Sequence, residues 1–208
     1  MSTSIAERFR SYLPVVIDIE TGGFNAKTDA VLEIAAVFVS FEGELLVPQK
    51  TVHHHVTPKI GTNIEPASLK ITGIDLTDPE RNSISEQEAF KDLFTHVRAE
   101  LKTHNCQRAI LVAHNAAFDQ QFINSVCERS NINRCPFHPF SSIDTASLSA
   151  LAVGHTVLSK ACARAGVDFD TRSAHSAIYD AQKTAELFCN IVNRWQTLGG
   201  WPLQDKWT

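Results

Sequence analysis

Two carboxylates, Asp18 and Glu20, close an apolar, β-branched run that begins at Val15, and Gly22-Gly23 follows shortly after. The run predicts a buried strand, on which residues two apart point to the same face. Neighbouring carboxylates repel each other, and burying them is unfavourable unless a positive charge lies between them. The pair therefore suits a divalent cation, and hard oxygen ligands favour Mg²⁺ or Mn²⁺. The glycines would let a ligand approach the backbone. The alternative is a strand end that points into water.

Two further motifs bring an aspartate close to the start of a predicted helix. Asp119 closes the segment His114–Asp119, and Asp180 closes the segment His175–Asp180. Asp119 can bind a ligand there or can simply stabilise the helix dipole. Five residues turn a helix through about 140°, so the second pair converges only if His175 lies on the loop before the helix. A histidine in that place suits general-base catalysis on water. A surface histidine and aspartate are the alternative.

The order of the three motifs is more specific than any one of them. D-x-E, then N-x-x-F-D, then H-x-x-x-x-D resembles the DEDD exonuclease superfamily, in the branch whose last motif carries a histidine. The resemblance covers almost the whole chain and is weakest at His53–Asp78. Four segments carry it: Val15–Lys27, Val112–Asp119, Asn133–Phe140 and Ile191–Leu203.

The resemblance implies a ribonuclease-H-like α/β fold, in which a five-stranded mixed sheet is flanked by α-helices. It implies that two Mg²⁺ ions, with Mn²⁺ as the alternative metal, are bound by Asp18, Glu20, Asp119 and Asp180. His175 matches the general base. The implied reaction removes nucleoside 5′-monophosphates from single-stranded ends in the 3′-to-5′ direction. The implied substrates are the 3′ ends of tRNA and other stable RNA, including the CCA end of tRNA, together with single-stranded DNA.

Aromatic side chains are the implied contacts for unpaired bases, which stack on such rings for roughly 1–3 kcal/mol each. Phe24, Phe118 and Phe140 match stacking positions of the family, although most of the 12 phenylalanines are expected in the core. Ala67 and Ile71 depart from the family at positions that contact the terminal base. Discrimination against a terminal cytosine is therefore left open.

The family also implies a homodimer, in which basic residues of one subunit guide RNA to the active site of the other. The matching residues are Arg8, Arg10, Lys102 and Arg108. Such a basic stripe would bind phosphates with a strong salt dependence. Solvated surface charges are the alternative.

Three consecutive histidines, His53-His54-His55, could indicate a metal site. Neighbouring residues on a strand alternate between the two faces, so we expect a polar strand edge instead.

The elements that must position these side chains follow from hydrophobic periodicity. Strands are predicted at Val15–Glu20, Val31–Phe41, Thr51–Val56 and Ala109–Ala113, with Ser142–Thr145 either a strand or a loop. Helices are predicted after a Ser85–Glu88 capping box, at Ala116–Arg129 with Asn115 as its cap, at Ala146–Ala152, at Leu158–Ala165 before Gly166, and from Ile178 to Trp195. Three strands followed by mixed strands and helices indicate a mixed sheet with helices on both faces.

Length and composition bound the architecture and the setting. The 208 residues suit one exonuclease domain over residues 1–208. No apolar run approaches the ~20 residues that span a bilayer, and Met1–Arg10 lacks an apolar signal core, so we expect neither membrane insertion nor export. Five scattered cysteines favour a reducing cytoplasm. The net charge of −4 argues against a nucleic-acid partner unless cations or a basic patch offset the acids.

Three other functions fit part of the pattern. A DNA proofreading or repair exonuclease would share the same five catalytic residues, although no obvious polymerase-binding extension is present. An oligoribonuclease would finish dinucleotides and leave tRNA tails alone. A catalytically inactive binding module would have lost one of the acids or the histidine, and none is missing. We therefore expect a 3′-to-5′ exoribonuclease.

Overall fold

The computed structural model describes residues 4–202, in which the strands form one mixed six-stranded sheet. The strands are β1 (Tyr12–Thr21), β2 (Val31–Glu42), β3 (Leu45–Thr57), β4 (Ile84–Ser85), β5 (Arg108–Ala113) and β6 (Phe137–Asp144). Their order across the sheet is β4-β3-β2-β1-β5-β6. β1, β2 and β3 pair antiparallel, whereas β5 runs parallel to β1, β6 to β5 and β4 to β3. The predicted mixed α/β sheet is confirmed.

The predicted number of five strands is wrong, because the sheet has six. The additional strand β4 has two residues, which pair with Val56 and Thr57 at the end of β3. Two residues cannot show the alternation that identifies a strand in a sequence. Two other strands are longer than predicted: β3 begins at Leu45 and β6 begins at Phe137.

Seven α-helices surround the sheet in the described residues. They are α1 (Ile5–Arg8), α2 (Pro66–Thr72), α3 (Glu86–Thr103), α4 (Ala117–Arg129), α5 (Thr145–Val153), α6 (Leu158–Ala165) and α7 (Ala177–Thr197), and a 3₁₀ turn covers Pro79–Arg81. The capping box of α3 is confirmed: Ser85 Oγ accepts the Glu88 N–H at 3.3 Å, and a Glu88 carboxylate oxygen accepts the Ser85 N–H at 3.1 Å. The end of α6 at Gly166 is also confirmed, since this glycine has φ 76°.

The predicted cap of α4 is wrong. Ala116 precedes α4 without a side-chain cap, and Asn115 adopts a left-handed conformation with φ 70°. Asp144 Oδ1, at the end of β6, accepts the Asn115 N–H at 2.9 Å. A carboxylate distant in sequence therefore satisfies the backbone that a local side chain was expected to satisfy.

The core lies on both faces of the sheet. Every residue of Val31–Val39 in β2 is buried, and successive strand residues point to opposite faces, so both faces are covered. α7 packs against β1, β2 and β3, while α3 packs against these strands and β5. The predicted helices on both faces are thereby confirmed. Among residues 4–202, no helix combines the length and apolar character that a bilayer crossing requires.

The parallel strands determine where polar side chains can meet. β1, β5 and β6 run in the same direction, so their carboxyl ends share one edge of the sheet. Asp18 and Glu20 lie near this end of β1, and Asp119 follows β5 on the first turn of α4. Asp144 ends β6 at the same edge. Open α/β sheets bind ligands at such edges.

Candidate active site

Asp18 and Glu20 lie near the C-terminal end of strand β1, and each is partly buried. In the antiparallel register with β2, Asp18 pairs with Ala35 and Glu20 pairs with Glu33. The register shifts immediately after Glu20, where β1 leaves the regular ladder. The two predicted carboxylates therefore share a face at the mouth of the sheet, where a third acid, Glu33, lies opposite one of them.

Asp119 is brought to the same place from helix α4. It is only 4% exposed, and the backbone N–H of Ile19, the residue between Asp18 and Glu20, lies close enough to lower its pKa. The first turn of α4 therefore lies against the end of β1. The burial of an acid beside two others indicates that its charge is compensated by a ligand when the protein works.

Asp180 and His175 reach the site from the start of helix α7. The backbone N–H of His175 donates to Asp180 Oδ2 at 3.0 Å, and His175 lies on the loop before the helix with φ 66°. Donor atoms of Glu20, His175 and Asp180 all lie within 4.8 Å of one another. The segment His175–Asp180 thus lies beside the Asp18–Glu20 pair. His175 is exposed to solvent.

The carboxylates raise one another's pKa values. Burial raises the pKa of Asp18 well above its ordinary value, and the charges of Asp119, Glu20 and Asp180 add to this effect. Burial, followed by the charges of Asp180 and Glu33, raises the pKa of Glu20 to about 7. Burial likewise raises the pKa of Asp119 and that of Asp180. A cluster of this kind is unfavourable as four bare anions.

These residues fit a divalent cation. Asp180 Oδ1 is buried and has no hydrogen-bond partner among residues 4–202, which is unfavourable for a carboxylate oxygen unless a cation is bound. The other donors are carboxylate oxygens, the ligands that Mg²⁺ and Mn²⁺ prefer. The site thus has the donor chemistry of a hard-metal centre with one histidine beside it.

Three further residues at the site carry no strong signal in the sequence. Glu33, inside the apolar strand β2, is 3% exposed and accepts the backbone N–H of Ala177 at the start of α7. Asp144 accepts the Asn115 N–H before α4 and the Ala146 N–H in the first turn of α5, and its charge raises the pKa of Asp119. His114 bonds Thr145 Oγ1 at 3.0 Å, and its pKa is lowered mainly by burial. Of the three, only Glu33 could have been noticed in the sequence, because it is an acid within an apolar run.

Gly22 and Gly23 were expected to let a ligand approach the backbone, but the structure gives them a different role. A Cβ atom on Gly22 would lie 2.7 Å from the backbone oxygen of Asn63, and one on Gly23 would overlap the Asp29 carboxylate. The space beside these glycines is therefore filled by the protein itself. They allow the loop after β1 to pack closely onto a neighbouring segment.

Two of the predicted stacking residues form a pair near this loop. Phe24 is 79% exposed, and its ring centroid lies 6.3 Å from that of the half-buried Phe118, which immediately precedes Asp119. Arg129 Nη1 donates to the carbonyls of Ala26 and Asp29 at 3.1 Å each, which holds the loop of Phe24 against α4. An exposed ring on a fixed loop beside the clustered acids suits base stacking.

Phe140 lies apart from this pair, on strand β6. Its side chain is 83% exposed and packs edge-on against His138 at 4.5 Å between ring centroids. The register between β5 and β6 jumps here, since Ala109 pairs with Phe137 while Leu111 pairs with Ser142. The residues between them bulge from the sheet and carry Phe140 outward.

The predicted basic residues lie at the end of the sheet where β1 and β5 begin, whereas the acids lie at the other end. Arg10 Nη2 donates to the Tyr12 hydroxyl at 3.0 Å, and Tyr12 pairs with Arg108 at the start of β1 and β5. Asp18 lies six residue steps along β1 from Tyr12, a distance of about 20 Å. Arg8 is partly buried, with its guanidinium 4.6 Å from the Trp201 ring, whereas Lys102 is exposed at the end of α3. Arg10 and Arg108 therefore lie too far from the acids of their own chain to contact them.

Comparison with known proteins identifies close relatives of the chain. Residues 15–188 match the model of a family described as Exonuclease. Ribonuclease T of Shewanella denitrificans is 56% identical over 203 residues, which are 97% of this chain and 90% of that protein. Ribonuclease T of Escherichia coli K12 is 54% identical over 202 residues, which are 97% of this chain and 94% of that protein.

Solved structures of exonucleases have the same fold. Escherichia coli exonuclease I in complex with a dT13 oligonucleotide aligns with a TM-score of 0.67 at 14% identity, over 91% of this chain and 43% of exonuclease I. A full-length 3′-exonuclease aligns with a TM-score of 0.63 at 20% identity, over 90% of this chain and 84% of that protein. This chain spans less than half of exonuclease I, and at these identities the likeness concerns the fold.

Proposed function

Because this chain belongs to the exonuclease family of ribonuclease T and is a 3′-to-5′ exonuclease, we propose that it trims single-stranded 3′ ends of tRNA and other stable RNA. The same site would also accept single-stranded DNA. The observation that carries the proposal is the meeting of Glu20, His175 and Asp180 within 4.8 Å, beside Asp18 and the buried Asp119. Residues from three distant motifs converge there on one edge of the sheet.

Exonucleases of this family depend on a metal, and the acids supply the ligands in our proposal. Asp18, Glu20, Asp119 and Asp180 would hold two Mg²⁺ ions, with Mn²⁺ as the alternative. Bound there, such ions supply charge neutralisation for the scissile phosphate and increase the acidity of water. Bound cations would also make a net charge of −4 compatible with a nucleic-acid substrate, because they would neutralise the acids where the phosphate must lie.

His175 is the general base in this proposal. It lies on an exposed loop beside Glu20 and Asp180, so water can reach its ring. Its backbone N–H is held by Asp180 Oδ2 at 3.0 Å, which positions the loop and leaves the imidazole free. The ring would take a proton from water as the oxygen attacks the phosphorus, and the product would be a nucleoside 5′-monophosphate.

Phe24, Phe118 and Phe140 would stack on the unpaired bases. Phe24 and Phe118 lie beside the acids and would contact bases next to the scissile bond, whereas Phe140 would contact the strand farther away. Ala67 and Ile71 lie one turn apart on α2, whose residues are not buried. The Glu65 N–H just before α2 donates to the Gly22 carbonyl at 2.6 Å, so this helix lies beside the Phe24 loop. The two departures would therefore alter the contact with the terminal base.

A homodimer would bring basic residues to the active site from a second subunit. Arg10 and Arg108 lie about 20 Å from the acids of their own chain, at the opposite edge of the sheet. A second copy that presents this end of its sheet would bring the basic residues next to the acids. Arg8 and Lys102 would extend the same surface. We also propose that residues 1–208 form a single domain and that the protein works in the cytoplasm.

The experiment that tests the proposed substrate compares three labelled oligomers under the same Mg²⁺ concentration. These are a tRNA with its 3′ tail, a single-stranded DNA of matching 3′ sequence and a dinucleotide. We expect stepwise shortening of the tRNA tail that stops near the duplex stem, with slower action on DNA. Preference for DNA would favour a repair role, and preference for the dinucleotide would favour an oligoribonuclease.

A further inference from the structure

Two of the three consecutive histidines lie together on one face of strand β3. His53 and His55 are two residues apart, with ring centroids 4.7 Å from each other, whereas His54 bonds Asp92 at 2.9 Å on the other face. Glu33 of strand β2 pairs with His55 in the sheet register. One donor atom from each of Glu33, His53 and His55 lies within 4.8 Å of the others. We call these three residues the Glu33–His53–His55 cluster.

The cluster has features of an incomplete coordination shell. Glu33 is 3% exposed, and its Oε1 lies 2.6 Å from His53 Nε2, so a hydrogen bond links the two groups. His55 Nδ1 is buried and has no hydrogen-bond partner in the described part of the chain. A buried imidazole nitrogen without a partner is unfavourable, and a bound ion would satisfy it.

Its donor chemistry differs from that of the nuclease centre. Four carboxylates favour hard ions, whereas two imidazoles and one carboxylate form a set that Zn²⁺ uses in proteins. We propose that Glu33, His53 and His55 bind one transition-metal ion of the Zn²⁺ class, at a site adjacent to the exonuclease centre that uses none of its four acids as a ligand. The fourth position is open to water, since His53 and His55 are partly exposed.

The geometry requires only small side-chain movements. Ligand atoms around a tetrahedral Zn²⁺ at about 2.0–2.1 Å lie about 3.3–3.5 Å apart. The ion would take the place of the proton between Glu33 and His53, which would separate by less than about 1 Å from their present 2.6 Å. Rotation of the His55 ring would bring the third protein ligand to the ion. The pairing of strands β2 and β3 already holds the three side chains next to one another.

The ion would link strands β2 and β3 beneath the start of helix α7. Glu33 also accepts the backbone N–H of Ala177, and its Oε1 lies 3.5 Å from Ser176 Oγ. An ion that binds the folded chain and not the unfolded chain raises its resistance to unfolding. Zn²⁺ would therefore raise the unfolding temperature, which is measured independently of nuclease activity.

The experiment measures Zn²⁺ stoichiometry and thermal unfolding in the full-length protein with excess Mg²⁺ present. Wild type is compared with His53→Gln, His55→Gln, the matched control His54→Gln and the nuclease-centre variant His175→Ala. We expect His53→Gln and His55→Gln to lose one bound Zn²⁺, or at least about tenfold in its affinity, together with the Zn²⁺-dependent rise in unfolding temperature. His54→Gln and His175→Ala should keep both.

Equal Zn²⁺ binding by wild type and both cluster variants would overturn the proposal and leave a simple Glu33–His53 hydrogen bond. An anomalous-scattering map of Zn²⁺-soaked wild-type crystals answers the question without any variant. A peak among the three side chains supports the site, and its absence contradicts it. Neither result depends on which nucleic acid the enzyme cleaves, so failure here leaves the proposed function intact.

Discussion

The backbone N–H of His175 donates to Asp180 Oδ2 at 3.0 Å, which joins the loop of the proposed base to one of the proposed metal ligands. The other oxygen of the same carboxylate, Oδ1, is buried without a hydrogen-bond partner within residues 4–202. One oxygen thus positions the loop, while the other remains available for a cation. The proposed base and one proposed metal ligand therefore form a single local unit, although they are far along the chain from Asp18 and Asp119.

Replacing His175 by alanine should remove proton transfer and leave the loop in place, because Asp180 bonds its backbone. We expect kcat to fall by about 10²–10⁴-fold while KM for single-stranded RNA changes little. Steady-state kinetics measure this split, and added imidazole should restore part of the rate because the position is exposed. The matched control is His104→Ala at the end of α3, which should behave as wild type. A kcat equal to wild type in His175→Ala would exclude the residue as the base.

The stability of the metal-free protein should fall as pH rises, because of Glu20. Burial and neighbouring acids raise the pKa of Glu20 to about 7 in the folded chain, whereas the unfolded chain ionises near the ordinary value of about 4.3–4.5. The folded state therefore binds the additional proton between these values, and the free energy of unfolding decreases across that window by roughly 3 kcal/mol at most.

Urea denaturation with a chelator present, at about pH 5 and about pH 8, measures this change. Glu20→Gln should lose less stability than wild type over the same interval, and Mg²⁺ should restore wild type mainly at the higher pH. Histidines with lowered pKa values act in the opposite direction, so the difference between the two proteins is the informative quantity. Identical slopes in both would contradict the proposed electrostatics of the site.

Removing the Phe24 ring should weaken substrate binding without unfolding the protein. The side chain is 79% exposed, and loss of one stacked base corresponds to roughly 1–3 kcal/mol, or about 5–150-fold in KM. The control is Leu198→Ala, since Leu198 is 73% exposed beyond the C-terminal end of α7. Eighteen helical residues place it about 27 Å from Asp180. Equal KM values in the two variants would argue against stacking by Phe24.

A dimer that shares its active sites should show subunit complementation. Asp18→Asn subunits keep the basic surface, and subunits with Arg10→Ala and Arg108→Ala keep the acids. In a one-to-one mixture that has exchanged subunits, half of the dimers are mixed and each contains one complete site. We therefore expect about a quarter of wild-type activity at low salt, although each variant alone is weak. Activity no greater than the sum of the two variants would exclude sharing.

Much of the site could be predicted because its residues obey local rules. Asp18 and Glu20 share a face through the two-residue period of a strand, and His175 precedes its helix because α7 begins at Ala177. The cap of α3 at Ser85 depends on side chains three residues apart. Such features are encoded within a few residues, and the structure reproduces them.

Other features depend on contacts between distant segments, which no local pattern contains. The two-residue strand β4 exists only because the end of β3 lies beside it. Asp144 replaces Asn115 in satisfying the backbone before α4, since the ends of β5 and β6 are adjacent. Glu33 joins His53 to the start of α7, and the three elements come together only in the folded chain. The segment that resembles the family at Ile191–Leu203 ends just outside the described residues.

The central claim is that four acids and one histidine form a single metal-dependent centre for removal of 3′ nucleotides. The most direct measurement is release of nucleoside 5′-monophosphates from single-stranded RNA by wild type and Asp18→Asn, at matched Mg²⁺ and with unfolding transitions compared. We predict Mg²⁺-dependent release by wild type and at least about a hundredfold loss in the variant, whose fold remains intact. Turnover by Asp18→Asn equal to wild type would contradict the account.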